Sequence, residues 1–163
     1  MNNPDMTPRP MIRATSILLD TGRICLVKQE VSEKRQWSLP GGKLELREKL
    51  SECISREFKE ETGLDVRVRE LLYITDRITL NPDTHVVHMS FLVEKSENLD
   101  LPAEWTHIDP FPSASSDRIR EIRMVEIGNL EQYGFSPIFY RLVKDGFPDR
   151  GSYQGDFFAF YNE

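Results

Sequence analysis

The stretch from Lys49 to Thr62 limits what this chain can fold into more than any other. It holds no Pro or Gly and is followed by Gly63, so it reads as a helix with a glycine just past its C-terminus. At about 100° per residue, Cys53 and Ile54 fall beside Leu50 and begin an apolar stripe. Glu57 and Glu61 then fall on that same stripe, with Glu60 beside them. A helix made to close a plain core would continue there with Leu or Ile. The three glutamates stand at i, i+3 and i+4, so they repel one another, and they sit in the last turns, where the helix dipole disfavours anions. Lys59 points to the opposite side; Arg56 lies on the flank, where Glu52 at i−4 is placed to hold it. A solvated face would interleave Lys with Glu. Three crowded carboxylates need a cation instead, and a donor set made only of oxygen suits Mg²⁺ or Mn²⁺ better than Zn²⁺.

The segment before this helix fits the same chemistry. Trp37 to Glu45 reads as a short strand, a Gly41-Gly42 break, and a second short strand over Lys43 to Glu45. Two glycines let the backbone approach another backbone or a phosphate closely, which makes Gly41 and Gly42 candidate substrate contacts and Gly42 a candidate contact for the metal.

Spacing ties the two segments together. From Gly42 there are five free positions to Glu48, seven more to Arg56-Glu57, and then Phe58, Lys59, Glu60, Glu61, Thr62, Gly63 and Leu64. This resembles the Nudix box, G-x5-E-x7-R-E-U-x-E-E-x-G-U with U apolar, and every fixed position is filled. With common residue types near ~7%, seven fixed identities match by chance on the order of once per hundred million starts.

The resemblance implies a reaction in which a nucleoside diphosphate linked to a group X plus water gives a nucleotide and phospho-X, with no covalent intermediate. It implies that Glu57, Glu60 and Glu61 hold one or more Mg²⁺ ions, that Arg56 orients a glutamate, and that Glu48 is a helper carboxylate or a structural anchor. It also implies a catalytic carboxylate from the start of a late strand. Glu121 is the first choice for it and Asp117 the second; a surface acid paired with a neighbouring arginine is the plain alternative. One departure stands before the helix. Many members of the family read G-G-x-x-E-x-G-E, and here Arg47 takes the place of the last glycine, so the local turn is expected to differ.

Size and charge bound the rest. With 163 residues the chain can build one domain with a proper core. A net charge of −6 argues against a nucleic-acid backbone as partner, which needs a basic footprint, but not against a small anion that meets a bound cation. No apolar run suggests a signal peptide or a membrane span. Cys25 and Cys53 read as small buried residues rather than a disulfide, which points to a cytoplasmic setting. His85 and His88 are three apart on an expected strand and face opposite sides, so a histidine-metal site is not expected.

Along the chain, residues 1–10 read as a flexible arm, 11–146 as the domain, and 147–163 as an aromatic tail that packs on the domain or lies across a homodimer interface. Strands are expected at Ile12–Leu19 and Arg23–Gln29 as a hairpin, at Gln36–Leu39, Val66–Thr79, Val86–Glu94 and Glu121–Ile127, with a second helix over Pro137–Lys144. Residues 96–120 form a long connection, a candidate lid in which Trp105 is a candidate substrate contact. The pattern is α+β; the Nudix resemblance sharpens it to an α/β/α sandwich around a mixed sheet. A small-molecule substrate and a possible homodimer complete the expectation. Two other functions use the same fold: a binding or regulatory domain without catalysis, which would show a damaged box, and a prenyl-diphosphate isomerase, which would need a Cys and Glu outside this pattern. The box does not choose among a sugar nucleotide such as ADP-ribose, an oxidised nucleoside triphosphate and a dinucleoside polyphosphate.

Overall fold

The computed structural model describes residues 8–29, 35–81, 83–110 and 119–162. Most of the expected N-terminal arm, and Asp117 with the rest of 111–118, lie outside the described residues. The chain opens with β1 (Met11–Asp20) and β2 (Arg23–Lys28), joined at Thr21-Gly22, where both residues take positive φ, 51° and 76°. That turn twist suits a two-residue hairpin. Next come β3 (Trp37–Ser38), β4 (Gly41–Lys43) and the helix α1 (Leu50–Thr62). They are followed by β5 (Val66–Leu80), β6 (Asp83–Lys95), β7 (Glu104–Ile108) and β8 (Ile119–Glu126). A 3₁₀ turn (Ile127–Tyr133), α2 (Pro137–Lys144), β9 (Ser152–Asp156) and a last 3₁₀ turn (Phe157–Phe160) close the chain.

The strands form a mixed sheet in the order β7-β8-β2-β1-β6-β5-β9. β1 pairs with β6 in parallel and β5 with β9 in parallel, while the other pairs are antiparallel. β2 is buried on both faces, and its alternation divides the core. Ile24 and Leu26 pack with Phe139 and Val143 of α2 and with Phe135, Phe147, Phe160 and Tyr161. Cys25 and Val27 pack with Cys53, Ile54 and Phe58 of α1. One helix therefore covers each face, which is the layered α/β/α arrangement. Both cysteines are buried and free.

Several elements differ from the sequence reading. The second short strand lies at Gly41–Lys43, not Lys43–Glu45: the two glycines do not break the strand but are the strand. They pair with Thr15 and Ala14 of β1, and a Cβ on Gly41 would overlap the Ala14 carbonyl. β4 thus occupies the same edge of β1 that β2 takes further along, so the sheet forks between them. The long connection contains β7, paired antiparallel to β8, and the aromatic tail contributes β9 beside β5. Arg47, standing where glycine is common, keeps the left-handed backbone at φ 69°. The turn that glycine would favour is therefore retained with a side chain on it, at a cost of about 1–2 kcal/mol.

Candidate active site

α1 is fixed at both ends. The Lys49 N–H donates to the Glu52 carboxylate (2.8 Å), and Gly63, at φ 78°, donates to the Lys59 carbonyl (2.9 Å). This N-terminal bond occupies Glu52, which was expected to hold Arg56. Glu48 does so instead. The Arg56 Nε donates to Glu48 Oε1 (2.6 Å) and Nη2 to Glu48 Oε2 (3.0 Å), a two-pronged pairing. The same guanidinium reaches Glu57 (2.8 Å), Glu60 (3.5 Å) and the Lys43 carbonyl (3.3 Å). Arg56 is therefore the hub that joins the loop to the acidic end of the helix. The hydrogen bonds to Arg56 hold the Glu48 carboxyl down at about 2, and Glu48 in turn raises the pKa of Arg56.

Glu61 lies on the buried side. Its Oε2 accepts from the Gly41 N–H (2.8 Å) and its Oε1 from the Gln29 side-chain amide (2.7 Å). Burial pushes its pKa up to about 8, against the Gly41 hydrogen bond, which favours the anion. Burial and the neighbouring Glu57 raise Glu60 as well. Gly42 sits against Glu57 so closely that a Cβ there would overlap the carboxylate. The structure thus gathers Gly41, Gly42, Glu48, Arg56, Glu57, Glu60 and Glu61 around one helix. The acids are turned to different partners, Glu57 and Glu60 to Arg56 and Glu61 to Gln29 and Gly41. Among the described residues no three acidic, histidine or cysteine groups already stand in a closed metal cage.

The other two sequence candidates are placed apart. Ile122 and Met124 of β8 face α1, so Glu121 falls on the opposite face of that strand. There its oxygens accept from Arg123 (2.8 Å) and Lys28 (3.3 Å). The structure does not bring it to the helix glutamates. Trp105, on β7, donates its indole N–H to the Thr62 carbonyl (2.9 Å) and packs against the α1 side of the core, so it braces the C-terminal end of the helix.

Residues that the sequence reading left unassigned complete the site. Gln29 holds Glu61, and Arg13 donates to the Gly41 carbonyl (3.3 Å). Beyond these two opens a cavity of about 150 Å³ that also touches His88. Arg13, the one charged residue of the run Ile12–Leu19, was the available signal for it.

Comparison with known proteins points to the same family. A family profile for the NUDIX domain matches residues 9–143. The chain is 33% identical over 121 residues to an ADP-ribose pyrophosphatase of Methanocaldococcus jannaschii, covering 70% of this chain and 72% of that protein. It is 26% identical over 137 residues to a MutT-like protein of Streptomyces ambofaciens, covering 78% and 82% of the two. Its fold matches the crystal structure of an ADP-ribose pyrophosphatase from Streptococcus suis with a TM-score of 0.57 at 17% identity, over 91% of this chain and 100% of that one. With the box filled and the profile spanning most of the chain, this protein belongs to the Nudix hydrolase family.

Proposed function

We infer that the protein is a divalent-metal-dependent pyrophosphohydrolase that cleaves a nucleoside diphosphate linked to a second group, with a sugar nucleotide as the first substrate class to test. The observation that carries this reading is the assembly around α1, where Arg56 ties Glu48 to Glu57 and Glu60 while Gly41 holds Glu61. The donors fit a hard cation: Glu57, Glu60 and Glu61 offer only carboxylate oxygens, and burial raises the pKa of Glu60 and Glu61, so a cation beside them would favour their ionised form. Those three residues, with the backbone at Gly42, would hold Mg²⁺ or Mn²⁺. When bound, the ion would neutralise phosphate charge and lower the pKa of a water.

The chain's own residues supply the rest. Arg56 keeps the glutamates aimed, Glu48 keeps Arg56 aimed, and the bare backbone at Gly41-Gly42 lets β4 lie against β1 and against the Glu57 carboxylate. With Glu121 held by Arg123 and Lys28 and Asp117 outside the described residues, we assign the proton of the attacking water to a glutamate of the helix. The relative named as an ADP-ribose pyrophosphatase supports a sugar nucleotide.

The test is a panel of sugar nucleotides, nucleoside triphosphates and dinucleoside polyphosphates assayed for nucleotide release with Mg²⁺ or Mn²⁺. Turnover should vanish with EDTA while the circular dichroism spectrum persists. Activity undiminished by chelation, or no turnover of any nucleotide, refutes the reading. A homodimer belongs to the same proposal; light scattering should then give about twice the 19.0 kDa of one chain. Among the described residues no helix is long and apolar enough to cross a membrane. A cytoplasmic setting belongs to the same proposal and is supported by the two buried cysteines, neither of which is in a disulfide.

A further inference from the structure

The cavity beside Glu61 has a chemistry of its own. Among the described residues that line it are Arg13 from β1, Arg35 from the segment before β3 and Arg77 from β5, and none is Asp or Glu. Arg35 is almost fully buried, with its guanidinium 4.1 Å from the ring centre of Tyr161 and 5.5 Å from that of Phe157. The wall also holds His88 of β6, 5% exposed, whose ring stacks on Phe157 at 4.1 Å. Neither ring nitrogen of His88 has a hydrogen-bond partner among the described residues, and neither has Ser38 Oγ, which lines the same space. Buried polar atoms left this way are costly, and a ligand that completes them accounts for their being kept.

Burial, and then Arg13, Arg77 and Arg35, press the His88 pKa down to about 3, so the ring is neutral and has one N–H to give. The acid felt by His88 is Asp76, and its oxygens already accept from Tyr153 and face His85. The space, about 150 Å³, is about half the smallest pocket that usually encloses a drug-sized ligand, so it takes a phosphate or one end of a sugar rather than a whole nucleoside.

We propose that this cavity receives the far end of the group X, and that this end carries a compact anion, a phosphate or a carboxylate, met by Arg13, Arg77 and the N–H of His88. The proposal rests on the pyrophosphohydrolase reading and narrows its substrate class. Gln29, which lines the cavity and also holds Glu61, sets the anion pocket directly beside the acidic helix.

Two matched pairs test it with the full chain and Mg²⁺. UDP-glucuronate against UDP-glucose isolates a carboxylate, and ADP-ribose 1″-phosphate against ADP-ribose isolates a phosphate. In at least one pair the charged member should have a kcat/KM at least tenfold higher, about 1.4 kcal/mol, expressed in KM. The pair that shows it names the anion. Arg77→Gln should bring that ratio close to one, and Arg77→Lys should restore part of it. Calorimetric titration of the EDTA-treated protein with the same nucleotides should rank them alike. If no nucleotide turns over, the pyrophosphohydrolase reading fails, and the titration alone decides whether the pocket prefers an anion. Ratios at or below one in both pairs overturn the proposal, as does a ratio unmoved by Arg77→Gln or a preference that follows the base instead. Should Arg77→Gln fail to fold, the wild-type ratios and Arg77→Lys still give the answer.

Discussion

Glu48→Gln is the most informative single change. In the wild type both Glu48 oxygens accept from Arg56, at 2.6 and 3.0 Å, and Oε2 also accepts the Glu45 N–H at 3.0 Å. Gln retains one acceptor oxygen, loses the charge and turns an N–H toward the guanidinium. Hydrogen bonds to charged groups contribute about 1.5–3 kcal/mol each, and Arg56, whose side chain is 28% exposed and keeps Glu57 and Glu60, recovers part of the loss. A net loss of about 1–2 kcal/mol at pH 7 follows, or a fall in Tm of about 3–6 °C for a chain of this size.

The loss has a pH signature. The folded pKa of Glu48, about 2, lies below its ordinary value of 4.5, so its contribution is complete above pH 4.5 and disappears as pH falls through 2. Urea unfolding of wild type and variant at pH 7, 5, 4 and 3 should show a gap that is full at pH 7 and 5 and narrows at pH 4 and 3. Equal stabilities at pH 7, or a gap of constant size down to pH 3, would refute the assignment of Glu48 as the anchor of Arg56.

Other changes separate chemistry from folding. Glu57→Gln and Glu60→Gln should each lower kcat by about a hundredfold or more, because each removes charge from the proposed metal position; near-normal turnover in both would show that the helix is not the catalytic centre. The atoms nearest a Cβ at Gly42 are the flexible end of Glu57, so Gly42→Ala should cut kcat at least tenfold with little change in Tm, whereas Gly41→Ala meets the backbone of Ala14 and Thr15 and should cost about 3 kcal/mol. Thermal melts that rank the two glycine variants the other way would contradict the packing described. For Glu61 the sign reverses: its folded pKa of about 8 lies above 4.5, so its ionisation opposes folding and EDTA-treated protein should lose stability as pH rises from 4.5 through 8. Glu61→Gln should flatten that slope, and parallel curves for the two proteins would dismiss the burial argument.

What the sequence made legible was local. α1 was readable because 3.6-residue periodicity and the box spacing agree. α2 was readable because Ser136, whose hydroxyl accepts the Phe139 N–H, precedes a proline at the first helical turn. Helical spacing also misled: it offered Glu52 to Arg56, while Glu48 comes eight residues back from a turn ahead of the helix, beyond the reach of any periodic argument. The phase of β8 was open in the sequence, because Ile122, Met124 and Val125 do not alternate cleanly; only the packed sheet shows which face Glu121 takes. β9 carries Ser, Gln, Gly and Asp around the single aromatic Tyr153, and has no alternating apolar pattern to announce it. The anion pocket was hidden for another reason. Arg13, Arg35, Arg77 and His88 come from four separate segments, and the parallel pairing of β1 with β6 sets Arg13 beside His88.

The fork in the sheet has a consequence for how such a protein can change over generations. The helix that carries the acids packs on one layer, while the pocket is built from strand positions, from Gln29, Arg35 and Leu39 between strands, and from Phe157 and Tyr161. A lineage can exchange pocket residues one at a time and try new leaving groups while its box stays intact. The Gln29–Glu61 hydrogen bond is a place where the two halves of that inheritance touch, and a substitution at Gln29 would be felt by substrate choice and by chemistry together.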